Sequence, residues 1–361
     1  MRVTVDATCL GRRKTGNETY IRGLLRGFSE LSLGDVELCI LTTEACPEMV
    51  KSKAFSWYEI PLGNFFTRNI FTIPKYLSEL QTDLYHSSYW TKFWKAHPPK
   101  IVMIHDISFI CFPHGFRKYE QLFYAAITER VAKAADHILT VSNYSKETML
   151  EHWNIPEHKI TVTYNGIDDC YKPTSQDTKQ FGEVPYILYV GNLHPRKNLV
   201  RLLKAFVKIK REKKIEHKLK IVGQATWLYE DIFLEVKENT LEEHVEFTGY
   251  VSQEELVKIY QKATLTCYPS LFEGFGLPVL EAMACGSPVV TSNTTSIPEV
   301  AADAAVLVDP ESVDQIASAI LSIIESKELQ SSLKQKSLKQ ARSFSWKETA
   351  SKTLKAYYNC L

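Results

Sequence analysis

Short runs of apolar, β-branched and aromatic residues recur along the chain. Longer stretches with apolar positions at helical spacing separate them. Val3-Thr4-Val5 reads as a strand, and the residues from about Glu18 to Leu31 read as an amphipathic helix. Ile101-Val102-Met103-Ile104 is apolar throughout and Ile138-Leu139-Thr140-Val141 is broken by Thr140 alone, the pattern of strands buried on both faces. Lys159-Ile160-Thr161-Val162-Thr163-Tyr164 forms another strand and runs into an Asn165-Gly166 turn. Strands alternating with helices predict parallel sheets covered by helices on both sides.

From Asp169 to Pro185 the chain is polar, carries Pro173 and Pro185 and has no apolar period, so it reads as a linker. The alternation then resumes. Tyr186-Ile187-Leu188-Tyr189-Val190 is the first strand of the second half, and further strands follow at 218–223, 245–249, 265–268 and 289–291. The basic run from Lys208 to Lys220 reads as a solvated helix face leading into a strand. Ser345-Trp346-Lys347-Glu348 has capping-box spacing and predicts a last helix to about Tyr358. No fixed-period repeat is present. The expected organisation is two doubly wound α/β domains, 1–170 and 171–344, followed by a helix over 345–361.

Bulk properties narrow the function. The 361 residues are 45% hydrophobic and 24% charged, an ordinary globular mixture. A formal net charge of +1 argues against broad nucleic-acid binding. No apolar run reaches membrane-spanning length, and the first residues read as a strand rather than a signal peptide. Eight cysteines lie scattered without a C-x-x-C pair, which fits reduced thiols in a cytoplasmic protein.

In open parallel sheets, ligands bind beyond the carboxyl ends of the strands, and several polar clusters fall there. Gly191-Asn192-Leu193-His194-Pro195-Arg196-Lys197-Asn198 follows the first strand of the second half. Asn198 is expected to cap the next helix, placing Arg196 and Lys197 at the sheet's mouth. Two adjacent cations suit a diphosphate. The alternative is a pair of solvated loop residues. The stretch from Ser270 to Gly286 carries Glu273, Phe275, Gly276, Leu277, Pro278 and Glu281. Pro278 suits a first helical turn, Gly286 suits a helix end, and a helix start there favours an anion. The alternative is a plain strand-turn-helix corner.

In the first half, His105 and Asp106 end a strand. The histidine can hydrogen-bond a sugar hydroxyl, titrate near neutral pH, or simply pack. Gly11, Thr15, Gly16 and Asn17 form a loop that can close over a phosphate or merely turn. His86 is a weaker candidate. The glycines do not form a G-x-G-x-x-G fingerprint, which argues against a dehydrogenase, and no P-loop is present. No zinc-type cluster or tight aspartate pair suggests a metal.

Taken together, these motifs resemble the retaining glycosyltransferases of family 4, which have the GT-B fold of two Rossmann-like doubly wound domains. The features carrying the resemblance are Glu273 and Glu281, separated by seven residues within Phe272–Gly286, and Gly191 with Arg196-Lys197-Asn198. Ile221-Val222-Gly223, Phe247-Thr248-Gly249-Tyr250-Val251, Val141-Ser142 and Tyr164-Asn165-Gly166-Ile167-Asp168 add to it. The likeness runs nearly end to end. It implies that Arg196 and Lys197 neutralise the donor diphosphate and that Glu273 holds hydroxyls of the transferred sugar. Backbone N–H groups of Phe275, Gly276 and Leu277 would touch sugar and phosphate, and Glu281 the ribose. Gly191, Gly249 and Asn198 belong to the same donor site. His105 would contact the donor sugar from the first domain, and the Gly16 loop would approach diphosphate or acceptor. No metal or other cofactor is implied, and the final helix would cross back onto the first domain.

The context from Val102 to Phe109 resembles bacterial mannosyltransferases of surface polysaccharide synthesis, which favours GDP-mannose as donor over a UDP-sugar. The acceptor implied is a glycan or lipid-linked sugar. Aromatic and basic residues at 64–71 and 89–95 suit peripheral contact with the cytoplasmic face of the inner membrane, the alternative being core packing or sugar stacking. A sugar-nucleotide 2-epimerase and an inert nucleotide-sugar-binding protein are the rival readings.

Overall fold

The computed structural model describes residues 1–11, 16–43, 55–88, 98–174, 184–226 and 228–360, with Phe65 as backbone only. Thr15, the aromatic stretch 89–95 and much of the polar stretch 169–185 lie outside the described residues. The chain splits into two compact units, Met1–Gly166 with Phe344–Leu361, and Ile167–Ser343. The division thus falls at Gly166, a few residues before the boundary expected at 170.

Among the described residues the first unit holds a seven-stranded sheet. Its strands are β1 (Arg2–Asp6), β2 (Glu37–Thr42), β3 (Phe55–Glu59), β4 (Leu84–Ser87), β5 (Lys100–Met103), β6 (His137–Thr140) and β7 (Ile160–Val162). They run in the order β3-β2-β1-β4-β5-β6-β7, with every pairing parallel. The second unit holds a six-stranded sheet of β8 (Tyr186–Val190), β9 (Lys218–Val222), β10 (Val245–Gly249), β11 (Leu265–Tyr268), β12 (Val289–Ser292) and β13 (Val306–Val308). Its order is β10-β9-β8-β11-β12-β13, again parallel. Strands covered on both faces are buried along their whole length, and β11 shows it: all four of its residues are buried, the hydroxyls of Thr266 and Tyr268 being hydrogen-bonded to Ser287 and Glu273. Strand order reverses between β1 and β4 and between β8 and β11, and at such switch points two loops diverge and leave a crevice.

The helix Gly16–Ser29 buries Tyr20, Ile21, Leu24, Leu25 and Phe28, the i, i+4 stripe its sequence predicts. It packs on the helix Trp346–Asn359, which belongs to the same unit. The Ser345 hydroxyl caps that helix, accepting from the Glu348 N–H at 3.2 Å. Contact is close because glycine lines it. A Cβ on Gly27 would lie 2.0 Å from the Trp346 carbonyl oxygen, and one on Gly23 would lie 2.1 Å from the Trp346 ring. Gly166, read above as a turn glycine, meets the same residue, its Cβ position lying 2.1 Å from the Trp346 nitrogen. Gly27→Ala is therefore expected to lower stability by about 1–3 kcal/mol through overpacking, as measured by denaturant unfolding.

His86, the weaker ligand candidate, is fully buried on β4, with Nδ1 2.6 Å from the Tyr357 hydroxyl. Burial depresses its pKa to about 3, so it is a neutral packing residue and not a ligand.

Candidate active site

The crevice at the β8/β11 switch point gathers most of the predicted chemistry. After β8, Pro195–Lys197 forms a single 3₁₀ turn, with His194 Nδ1 accepting from the Arg196 N–H at 3.2 Å. The loop after β11 is tied to this turn, since the Arg196 carbonyl accepts from the Leu271 N–H at 2.8 Å and the Ser270 hydroxyl at 3.0 Å. Glycine permits the packing beneath it. A Cβ on Gly223, at φ +150°, would fall 2.1 Å from the Gly191 carbonyl oxygen.

Glu273 is buried at the centre. Its Oε1 accepts from Lys197 Nζ at 2.6 Å, the Ser270 hydroxyl at 2.6 Å and the Tyr268 hydroxyl at 2.9 Å. Oε2 lies 3.5 Å from Arg196 Nη1, which also donates to the Phe272 carbonyl at 3.0 Å. The backbone is fixed as well: the Glu273 N–H donates to Thr295 Oγ1 and its carbonyl accepts from the Ser296 hydroxyl. Burial alone would raise the carboxyl pKa, but Lys197, Arg196 and the Ser270 hydrogen bond outweigh it and hold it at about 2. The stability this group contributes is complete above the ordinary value of 4.5 and is lost as pH falls toward 2.

Asn198 corrects an expectation. It does not cap the following helix, Leu199–Lys213, and takes the left-handed conformation at φ +62°. Its buried amide donates to the carbonyls of Pro269 at 2.9 Å and Pro310 at 2.6 Å. With both amide donors spent on the backbone, Asn198 braces the loops after β8 and β11 against the segment at Pro310.

Gly276, at φ +107°, opens the helix Leu277–Ala284 with Pro278 in the first turn. The helix ends as expected. Gly286 takes φ +75°, its N–H bonds Met283 and the Ser287 N–H bonds Ala282, the hydrogen-bond pair of a Schellman turn. Phe275 is buried, so that position presents mainly backbone, and the helix start carries partial positive charge. Gly249 ends β10 at φ +70° with open space around its Cβ position.

Glu281 sits one turn inside that helix and belongs to a different network. The Tyr260 hydroxyl donates to Oε2 at 2.9 Å, Tyr171 donates as well, and the Tyr171 and Tyr260 rings meet edge-on at 6.2 Å. Burial, only partly offset by these hydrogen bonds and reinforced by Asp168, raises its pKa to about 7. Ionising Glu281 therefore costs the folded state stability, a cost absent below 4.5 and complete above about 7. If its carboxylate accepts from ribose hydroxyls, nucleotide affinity should rise several-fold from pH 6 to 8, and Glu281→Gln should flatten the profile; calorimetric titration across that range checks both. Sequence reasoning missed both: Tyr171 lies in the polar stretch read as a linker, and Tyr260 fits the apolar face of the helix Gln253–Lys262.

In the first unit, His105 lies just past β5 with its Nε2 buried and no hydrogen-bond partner among the described residues. Burial, slightly offset by Asp106, lowers its pKa to about 4, which overturns titration near neutral pH and leaves a neutral imidazole. Gly16 is exposed at the start of its helix, beside residues outside the described set. No group of three or more metal-binding side chains gathers among the described residues.

Comparison with known proteins agrees with this architecture. The Glycosyltransferase Family 4 model matches residues 15–170 and the Glycosyl transferases group 1 model matches residues 172–340. O-antigen chain mannosyltransferase B of Escherichia coli is 34% identical over 264 residues, 71% of this chain and 69% of that protein. O-antigen chain mannosyltransferase RfbU of Salmonella typhimurium is 31% identical over 222 residues, 62% of this chain and 60% of that protein. Among solved structures, the sucrose-phosphate synthase of Thermosynechococcus elongatus superposes with a TM-score of 0.80 at 19% identity, covering 99% of this chain and 98% of the other. The chain belongs to the glycosyltransferases of family 4 and has the GT-B fold.

Proposed function

We propose that the chain is a retaining hexosyltransferase that moves mannose from GDP-mannose to a glycan or lipid-linked sugar in O-antigen-type polysaccharide synthesis. The observation carrying this is the cluster of Lys197, Arg196 and the ionised, buried Glu273 at the β8/β11 switch point. A sugar nucleotide needs both parts: cations for the diphosphate and a carboxylate for hydroxyls. Likeness to two O-antigen mannosyltransferases supports the donor sugar and the pathway.

In the proposed reaction the C1–O bond to the diphosphate breaks and a C1–O bond to the acceptor hydroxyl forms on the same face. The departing phosphate takes the acceptor proton. Lys197, Arg196 and the start of the helix Leu277–Ala284 stabilise the developing phosphate charge, and such preorganised electrostatics usually lower the barrier more than any other effect. Glu273 is a poor nucleophile, because its pKa near 2 and its hydrogen bonds from Lys197, Tyr268 and Ser270 leave little basicity. That supports retention without a covalent intermediate. These cations take the role a metal plays elsewhere, so turnover should survive a chelator.

Incubation with a panel of sugar nucleotides tests the reading. Slow hydrolysis of GDP-mannose in preference to UDP-sugars is the expected result; preference for UDP-glucose or UDP-N-acetylglucosamine reassigns the donor. An epimeric sugar identifies an epimerase, and binding without turnover an inert binder.

Peripheral binding to the cytoplasmic face of the inner membrane is part of the proposal. Among the described residues no helix is long and apolar enough to cross a membrane. Leu62, Phe66 and Phe71 are 67%, 56% and 70% exposed, which favours a surface role over core packing for this stretch. Co-sedimentation with anionic liposomes, lost on Phe66→Ser and Phe71→Ser, is expected.

A further inference from the structure

Residues 168–172 lie mostly in the polar stretch that reads as a linker, yet they are strapped along one helix of the second unit, Gln253–Lys262. Gln253, in the first turn of that helix, donates from Nε2 to Asp168 Oδ2 and reaches Cys170 Sγ, each at 3.3 Å. Near the far end of the helix, Gln261 Nε2 donates to the Lys172 carbonyl at 2.7 Å. The Tyr171 N–H closes the bend by donating to the Asp168 carbonyl at 3.0 Å. Between these ties the Tyr171 ring meets the fully buried Tyr260 ring edge-on.

Both rings bring their hydroxyls to one acceptor. Tyr260 donates to Glu281 Oε2 at 2.9 Å, with the Pro278 carbonyl oxygen 3.3 Å away, and Tyr171 donates to the same carboxyl. Burial and the neighbouring Glu281 charge push both phenol pKa values up, so each hydroxyl keeps its proton to donate.

A carboxylate offers about four acceptor positions, so two fixed donors set its plane and leave about two for a ligand. Glu281 is not fully buried. Neighbouring free acceptors match a cis-diol, the arrangement of the two ribose hydroxyls. We propose that Tyr171 and Tyr260 are positioning residues for the donor: their hydroxyls hold the Glu281 carboxylate in one plane with its free acceptors available to the ribose. This makes the strap 168–172 part of the donor site. The proposal rests on the nucleotide-sugar reading, with Glu281 as the ribose ligand.

A pH profile separates positioning from packing. The titratable groups facing Glu281 are Asp168, Cys170 and Tyr171 on the strap, Tyr260 on the helix Gln253–Lys262, and Cys285 on the carboxyl's own helix. Burial pushes both thiols up and keeps them neutral. Asp168 opposes ionisation of Glu281 and the two hydroxyls favour it, so removing one hydroxyl raises the pH at which Glu281 ionises.

Calorimetric titration of the full chain with GDP-mannose and with UDP-glucose, from about pH 5.5 to 9, tests this, since neither diphosphate diester titrates in that range. Tyr171→Phe and Tyr260→Phe should each raise the midpoint of the affinity profile by about one pH unit, the worth of one hydrogen bond to a carboxylate. Affinity then falls about fivefold at the wild-type midpoint and returns to within about twofold of wild type at the alkaline end. In a Glu281→Gln background, Tyr171→Phe should shift nothing. Wild-type profiles in both phenylalanine variants would overturn the proposal. Affinity lost equally at every pH with the midpoint unmoved would also overturn it, marking a purely structural role. A shift in one variant alone overturns the role of the other tyrosine. Circular dichroism identifies a variant that fails to fold, and Tyr171→Phe, at a partly exposed position, carries the test if Tyr260→Phe does not fold. Binding with a flat wild-type profile removes Glu281 from the ribose and overturns the proposal with it, whereas no binding of either donor refutes the nucleotide-sugar reading itself.

Discussion

Lys197→Ala is expected to reduce turnover by about two to three orders of magnitude, the usual cost of removing one preorganised charge from a developing anion. The same substitution strands Glu273. With Lys197 gone, Oε1 keeps, among the described residues, the Ser270 and Tyr268 hydroxyls, and Arg196 lies 3.5 Å from Oε2. Removing one partner of a buried ion pair costs about 3–5 kcal/mol, so the midpoint of denaturant unfolding should fall as well. Single-turnover donor consumption, normalised to the folded fraction, separates the two effects. Turnover near wild type in Lys197→Ala and in Arg196→Ala would remove phosphate neutralisation from these residues. Lys197→Arg should restore charge but not activity, since a planar fork does not reproduce a point charge hydrogen-bonded to Tyr268 and Glu273 together.

Glu273→Gln should lower turnover about a hundredfold while changing nucleotide affinity by no more than a few-fold. The amide keeps the shape but not the charge, so hydroxyls of the transferred sugar lose their strong acceptor while the diphosphate keeps its cations. The opposite pattern, weak nucleotide binding with near-normal turnover, would move Glu273 to the nucleotide. Acid unfolding offers an independent readout. Stability lost between pH 4.5 and 2 in the wild type should shrink in the variant, because the group that takes up the proton is gone.

Much of this was legible in the sequence. Strands covered on both faces read as short apolar runs, and the polar clusters following β8 and β11 fall together because those two strands flank the switch point. Asn198 misled because its left-handed conformation is set by carbonyls of Pro269 and Pro310, far along the chain and invisible to local capping rules. The glutamates could not be distinguished by spacing. One has lysine, serine and tyrosine around it and the other two tyrosines, so their acidities diverge to about 2 and about 7. For His105 the sequence left hydrogen bonding, titration near neutral pH and packing open; burial removes the titration, which a strand-end position does not reveal. The asparagine-glycine turn at 165–166 marked a family motif, whereas its glycine answers to the backbone of Trp346.

That glycine-lined seat around Trp346 has a consequence for synthesis. The first unit is discontinuous, and the surface of the helix Gly16–Ser29 that meets Trp346 is completed only after residues 344–361 have left the ribosome. The second unit, Ile167–Ser343, is continuous and fully translated before then. Emergence from the ribosome therefore reverses the order of the chain: the second unit can mature first, while the first waits with an apolar helix face uncovered. A nascent chain stalled near residue 340 should present that face to chaperones and proteases, although every residue of both sheets has already been made.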